Sequence, residues 1–328
     1  MRKLFVTGGA GFIGVNFVRY WRKHHPEDFI INFDALTYAG CRESQAELED
    51  QDRYHFVQGN ICDEALLHEI FTGVYESLPK PDLMVHFAAE THVDRSIRDS
   101  SPFVKTNVLG TQVLLEVALR YGKIRFHHVS TDEVFGSLGP EDAPFTESTP
   151  YAPRSPYAAS KAASDHLVRS YYETYGLPVT ISNCSNNYGS YQFPEKLLPF
   201  AITNVLREKK VPLYGTGQNI REWLHVEDHC RALELILLKG EIGETYCIGA
   251  EEYSNVEVIR ALLSLMGKDE SWIEYVSDRP GHDWRYALDC SKIRAELSWS
   301  PLIPFEQGLA DTLRWYQDHE NWWKEKIV

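Results

Sequence analysis

Eight residues near the start of the chain, Thr7-Gly8-Gly9-Ala10-Gly11-Phe12-Ile13-Gly14, restrict its fold more than any other stretch. They follow a short apolar run, Leu4–Thr7, and lead into an amphipathic pattern, Phe12–His24. Gly8, Gly11 and Gly14 read GxxGxxG, and Gly9, Gly11 and Gly14 read GxGxxG. Glycine permits a tight turn and lets backbone approach a pyrophosphate, while the opening helix aims its free N–H groups at that anion. A glycine set alone is a weak signal. Between a strand and an apolar helix, it predicts the first unit of a dinucleotide-binding α/β fold.

The rest of the first half continues that rhythm. Strands are predicted at Phe29–Phe33, His55–Gln58, Leu83–Phe87, Phe126–Ser130 and Val179–Asn183. Helices are predicted at Glu64–Phe71, Phe103–Tyr121 and Tyr157–Tyr175. Such alternation predicts an α/β fold with a doubly wound parallel sheet of the Rossmann type. From about residue 184 the alternation loosens and Pro and Gly punctuate the chain at Pro194, Pro199, Pro212, Gly215 and Gly217. We therefore expect residues 1–183 to form the dinucleotide-binding domain and 184–328 a smaller α/β lobe closing a cleft over the strand ends. The chain is expected to return to the first domain around 220–248.

Composition narrows the function classes. The net charge of −14 argues against a nucleic-acid or membrane partner. No signal-type or spanning apolar run is present, and the six cysteines form no CxxC pair. A reduced, cytoplasmic protein is expected.

Asp34 lies 20 residues after Gly14, at the end of the second predicted strand. A carboxylate there accepts ribose hydroxyls and repels a 2′-phosphate, which favours NAD over NADP. Tyr157-Ala-Ala-Ser-Lys161 puts a phenol and an ammonium on one helix face. A phenol ionises near pH ~10, so acting as a base requires a lowered value. Lys161 and a positive nicotinamide ring are expected to supply that lowering. Upstream, Val129-Ser-Thr-Asp-Glu-Val-Phe-Gly136 ends a strand with a hydroxyl, Thr131, and then two carboxyls, Asp132 and Glu133. Hydride transfer alone leaves the second carboxyl without a task.

With these motifs in place, the chain resembles the extended short-chain dehydrogenase/reductase superfamily, and within it the dTDP-glucose 4,6-dehydratases. The shared segments include TGGAGFIG, FDALTYAG, FAAETHVDRSI, TNVLGT, VSTDEVFG, YAPRSPYAASKA, NCSNNYGSYQFPEKLLP, PLYGTGQNIREWLHVEDHCRA and DRPGHDWRYALD, spread over almost the whole chain. The resemblance implies bound NAD and a nucleotide-hexose substrate that loses its C6 hydroxyl as water. Tyr157 would take the C4 hydroxyl proton beside Thr131 and Lys161. Glu133 would remove the C5 proton, and Asp132 would protonate the departing hydroxyl. Mutual repulsion of the two carboxyls favours one staying protonated.

The same resemblance assigns Gly8, Gly11, Phe12, Ile13, Gly14, Asp34, Ala35, Leu36, Thr37, Asn60, Ile61, Phe87, Ala88, Ala89, Thr106 and Asn187 to the cofactor. It assigns Thr91, Asn186, Lys196, Leu197, Pro212, Tyr214, Arg221, Asn255, Arg279 and His282 to the nucleotide sugar. It also implies a homodimer packed through the Phe103–Tyr121 and Tyr157–Tyr175 helices. Ala35, Asn60 and Phe135 depart from residues common in the family, namely lysine, aspartate and tyrosine. A C-terminal tyrosine that some members place over the base has no counterpart here.

Rival readings are a UDP- or GDP-sugar 4,6-dehydratase, a nucleotide-sugar 4-epimerase and an idle NAD-binding regulator. The epimerase has no need of Asp132-Glu133, and the regulator has no need of Thr131, Tyr157 and Lys161 together. His225-Val-Glu-Asp-His229 invites a metal reading, but its order is not HExxH. No metal is expected there, at His24-His25 or at His127-His128. Trp315, Trp322 and Trp323 are expected to pack the last helix.

Overall fold

The computed structural model describes residues 1–49, 51–278 and 281–327. Six strands follow in order from the N-terminus: β1 (Lys3–Thr7), β2 (Phe29–Asp34), β3 (Tyr54–Gln58), β4 (Leu83–His86), β5 (Arg125–Thr131) and β6 (Val179–Cys184). Six more follow: β7 (Asn186–Tyr188), β8 (Val211–Tyr214), β9 (Ile220–His225), β10 (Thr245–Ile248), β11 (Glu251–Ser254) and β12 (Ile273–Val276).

The main sheet has seven strands in the order β3-β2-β1-β4-β5-β6-β10. Every neighbour pair in it is parallel. The fold is thus a doubly wound α/β sheet. Both faces are covered, and β1, β2 and β4 are largely apolar runs, whereas β5 and β6 bury polar side chains such as His127, His128, Thr180 and Ser182. Side chains alternate across the sheet. Leu4, Val6 and Ile30 pack with Phe17, Val18 and Trp21 on one face. Phe5, Ile31 and Phe33 pack with Phe71, Val113 and Leu114 on the other.

Helix boundaries follow local chemistry. The Phe12–His24 helix starts where Gly11 adopts an extended backbone, and no side chain caps its first N–H groups. The Pro156–Tyr175 helix starts at Ser155, whose hydroxyl accepts from Ala158 N–H at 3.1 Å, with Pro156 in the first turn. It stops at Gly176, whose φ of +62° favours glycine. The stretch expected as one helix over Phe103–Tyr121 is broken up. A short turn, Ser101–Phe103, leads into a π-helical segment, Val104–Gly110, and only then into the α-helix Thr111–Arg120. A π-turn adds one residue without disturbing the apolar spacing much, so periodicity alone does not reveal it.

Two small sheets lie beyond β6. One has the order β11-β9-β7 and the other pairs β12 with β8. Tyr188, Leu198, Ile202, Trp223, Ile259 and Tyr316 form a separate core there. Trp323 is buried in the same core, and Trp315 and Trp322 stack edge to face at 5.0 Å. Among the described residues no helix is long and apolar enough to cross a membrane.

Candidate active site

Strand order reverses between β1 and β4, and a crevice opens at such a point in an open α/β sheet. A cavity of about 340 Å³ lies there. It gathers the residues that follow the carboxyl ends of β1 through β6.

The cofactor-type half is built first. Gly8, Gly11, Phe12, Ile13 and Gly14 line the cavity after β1. Gly8 has φ of +72°, and a side chain there would start 2.5 Å from Ala88 N. A side chain on Gly14 would collide with the Gly8 carbonyl oxygen. The glycines therefore keep turn, helix start and β4 exit in direct backbone contact, leaving an uncapped helix N-terminus facing the cavity. That cradle fits a diphosphate. Asp34 is buried at the end of β2, with Oδ2 accepting from Ala10 N–H at 2.9 Å and Oδ1 from Leu36 N–H at 2.8 Å. Burial pushes its carboxyl above the ordinary value, and these two bonds counter the shift.

Ala35, Thr37, Asn60, Ile61, Phe87, Ala88, Ala89, Thr106 and Asn187 also line the cavity. Leu36 does not; its backbone holds Asp34 instead. The π-helical segment places Thr106 in the wall and Asn107 behind it. Asn107 accepts from Glu90 N–H at 2.8 Å and donates to the Glu90 carbonyl at 3.0 Å, which fixes the loop after β4. Asn187 is oriented by His229, with Nδ1 2.9 Å from Asn187 Oδ1.

The chemical half sits beyond β5. Thr131, Asp132, Glu133, Tyr157 and Lys161 share the cavity wall. Thr131 Oγ1 donates to Asp132 Oδ1 at 3.1 Å and accepts from Glu133 N–H at 3.3 Å. Asp132 Oδ2 is buried without a partner. Burial, and then the Glu133 charge, push the Asp132 carboxyl up to about 7, while Arg221 pulls it down. Burial outweighs the repulsion that the sequence suggested as the reason for a retained proton.

Tyr157 behaves differently from the expectation. Burial, Glu133 and Cys184 push its phenol well above the ordinary value, and a hydrogen bond with Thr131 only partly counters this. The largest influence lowering it comes from Thr131, not from Lys161. The Lys161 ammonium donates to the Val129 carbonyl at 2.9 Å, and burial lowers its own value. Beneath it, Asp165 accepts from Ser130 Oγ and from Tyr151 OH, both at 2.8 Å, and lies 3.1 Å from His128 Nε2. These contacts hold the Asp165 carboxyl below the usual range despite burial.

Of the residues expected to hold the nucleotide sugar, Thr91, Thr131, Asn186 and Lys196 line the cavity. Leu197, Pro212, Tyr214, Arg221, Asn255 and His282 lie outside its lining. Arg279 lies outside the described residues. Pro212 and Tyr214 are on β8, Arg221 is on β9 and Asn255 opens the helix to Leu265. Tyr214 meets His282 edge to face at 6.3 Å, and Arg221 donates to the Asp283 carbonyl at 3.0 Å. Tyr214 and Arg221 thus meet the 281–286 segment, and the Arg221 charge reaches Asp132.

Sequence reasoning missed Glu90, Cys184, Gln192, Phe193 and Glu195, which also line the cavity. Glu90 and Cys184 lie at or just past strand ends, which was the available signal, whereas Gln192, Phe193 and Glu195 lie in the loop between β7 and the Leu197–Leu206 helix and carry none. The histidine pairs have protein partners. His225 caps the Val226–Lys239 helix by accepting from Glu227 N–H at 3.3 Å. His127 meets Thr180 at 2.9 Å and Ser182 at 3.1 Å. His25, Glu27 and Asp28 lie close enough to ligate an ion. His25 meets Glu234 at 2.6 Å, and Asp28 takes Arg2 N–H at 2.6 Å.

A dinucleotide cradle, a Tyr-x-x-x-Lys helix and paired carboxyls on one cavity wall define an enzyme of the extended short-chain dehydrogenase/reductase class. A family profile described as GDP-mannose 4,6 dehydratase matches residues 5–312. A dTDP-glucose 4,6-dehydratase of Neisseria meningitidis serogroup B is 50% identical, covering 100% of this chain and 96% of that protein. The crystal structure of a dTDP-glucose 4,6-dehydratase from Bacillus anthracis in complex with NAD superposes with a TM-score of 0.92 at 48% identity, covering 99% of this chain and 100% of that one. Another, from Streptomyces venezuelae with NAD and TYD bound, gives 0.94 at 49% identity and 99% coverage of each chain. The chain belongs to the dTDP-glucose 4,6-dehydratase family.

Proposed function

We propose that this protein converts dTDP-glucose to dTDP-4-keto-6-deoxyglucose and water, with NAD as a resident cofactor. The carrying observation is the Asp132–Glu133 pair, one carboxyl buried with its value pushed up to about 7, beside Tyr157 and Thr131. NAD held in this cradle would supply the acceptor for the C4 hydride of the hexose and the donor for its return to C6. Asp34 would accept the adenosine ribose hydroxyls, and the helix start at Phe12 would face the diphosphate.

Tyr157 takes the C4 hydroxyl proton while Thr131 orients the same oxygen. With the phenol held high by the fold alone, its deprotonation relies on the cationic ring expected beside it. The C4 ketone acidifies the C5 proton. Glu133, in its ionised form, removes that proton, and Asp132, in its protonated form, gives one to the departing C6 hydroxyl. Glu133 then returns its proton to C5. One acid and one base at adjoining carbons answer the need for two carboxyls. An epimerase has no use for this pair, so that reading is not favoured.

Thr91, Asn186 and Lys196 would meet the hexose and diphosphate inside the cavity. Leu197, Pro212, Tyr214, Arg221, Asn255, Arg279 and His282 would hold the nucleotide end. Arg221 and Arg279 suit phosphate recognition and Tyr214 offers a flat face for a base. Ile97, Val104 and Leu109 are exposed along the stretch before the Thr111–Arg120 helix. Such apolar exposure supports a homodimer through that face. The six free cysteines suit a cytoplasmic setting.

Parallel turnover of dTDP-, UDP- and GDP-glucose, with product mass, tests the reading. Loss of one water from the dTDP-sugar in preference to the others is expected. An unchanged mass with inverted C4 would mean epimerisation.

A further inference from the structure

In this reaction the cofactor must wait, reduced, for the same sugar, so its early escape would abort the cycle. The geometry points to a clasp that prevents this, formed by Tyr38, Arg95 and Glu195 across the mouth of the cofactor groove. The inference rests on the resident-NAD reading above.

Tyr38 belongs to the loop after β2, between cavity-lining Thr37 and Ala39. Glu195 comes from the segment before the Leu197–Leu206 helix, distant in sequence, and also lines the cavity. The two meet directly: Tyr38 OH donates to Glu195 Oε1 at 2.9 Å. Arg95, on the short helix after β4, places its guanidinium 3.6 Å from the centre of the Tyr38 ring. The same guanidinium lies 3.5 Å from Glu195 Oε2, as does His92 Nε2. Phe193 meets the Tyr38 ring edge to face at 5.6 Å.

Three chain segments, each with neighbours in the cavity wall, are thus tied over one opening. The Glu195 side chain is only 13% exposed, so its pairings are sheltered from water and stronger than surface ion pairs. A dinucleotide running from Asp34 to Asn187 lies beneath this bridge. It leaves only when Tyr38 and Glu195 separate. None of the three side chains is needed for the proton transfers, so their task is retention rather than chemistry.

The test follows NAD exchange. Wild type, Tyr38→Phe, Glu195→Ala and Arg95→Ala proteins are loaded with isotopically labelled NAD, mixed with excess unlabelled NAD, and assayed for retained label over time. Melting temperature and turnover with excess NAD are measured on each. Tyr38→Phe keeps the ring and loses only the bond to Glu195, so it separates retention from folding. Release about tenfold faster in Tyr38→Phe, and faster still in Glu195→Ala, is expected, with melting unchanged and turnover restored by excess NAD. If wild type holds NAD and dehydrates the sugar but all three variants release label at its rate, the clasp is wrong and the functional reading stands. If wild type neither holds NAD nor dehydrates dTDP-glucose, both are wrong.

Discussion

Thr131 donates its hydroxyl to Asp132 Oδ1, and the other carboxyl oxygen of Asp132 is buried with no partner. An ionised carboxylate would leave that oxygen's charge unsolvated, whereas a protonated one has a hydrogen to offer into the cavity. With its value near 7, Asp132 is protonated on the acid side of neutrality. Turnover of dTDP-glucose is therefore expected to fall as pH rises through about 7, as the acid form is lost. A kcat profile from pH 5 to 9 checks this, and a flat alkaline side would contradict it.

The same group links stability to pH. The folded chain keeps the Asp132 proton up to about 7, while an unfolded aspartate releases it near ~4. The folded state then binds more protons between those values. The Asp132 contribution is complete below ~4 and is lost as pH rises through about 7. Asp132→Asn should flatten this part of the stability curve, measured by urea melts across the range.

Asp132→Asn and Glu133→Gln should each slow water loss by about 10²–10⁴-fold. They should differ in solvent exchange. Glu133→Gln should abolish deuterium uptake at C5, while Asp132→Asn should retain uptake and block departure of the hydroxyl. Mass spectrometry of sugar recovered from deuterated water separates them.

Tyr157→Phe leaves the C4 hydroxyl without its base and should lower kcat by about 10²–10⁴-fold with the fold intact. Unchanged melting with lost turnover is the expected pair of results.

Asp228 concerns stability alone. Its buried carboxyl accepts from Leu302 N–H at 3.0 Å and Ile303 N–H at 2.9 Å, and pairs with Arg231. Asp228→Ala strands these donors and should destabilise the protein by about 3 kcal/mol. Urea denaturation measures it.

The glycine turn, Asp34 and the Tyr157 helix were legible because each is a local event, set by a strand, a turn and a helix in unbroken sequence. Helix Phe12–His24 falls on its predicted bounds for that reason. The π-helical segment at Val104–Gly110 was hidden because one inserted residue barely alters an apolar pattern. Glu195 was missed because nothing near Phe193-Pro-Glu-Lys196 tells that a tyrosine from residue 38 lies opposite. The high value of Tyr157 was equally invisible, since burial depends on what the whole fold excludes. The family motifs carried residues of β8 and β9 to the site, but spacing could not show that they stand outside the cavity wall.

The seventh strand of the main sheet, β10, is encoded after β7, β8 and β9 have been made. A growing chain on the ribosome exposes the open edge of β6 throughout that interval, and exposed edges invite wrong pairing. Slow translation across residues 185–244 would lengthen this hazard, and a chain cut short before Thr245 would leave the edge bare for good.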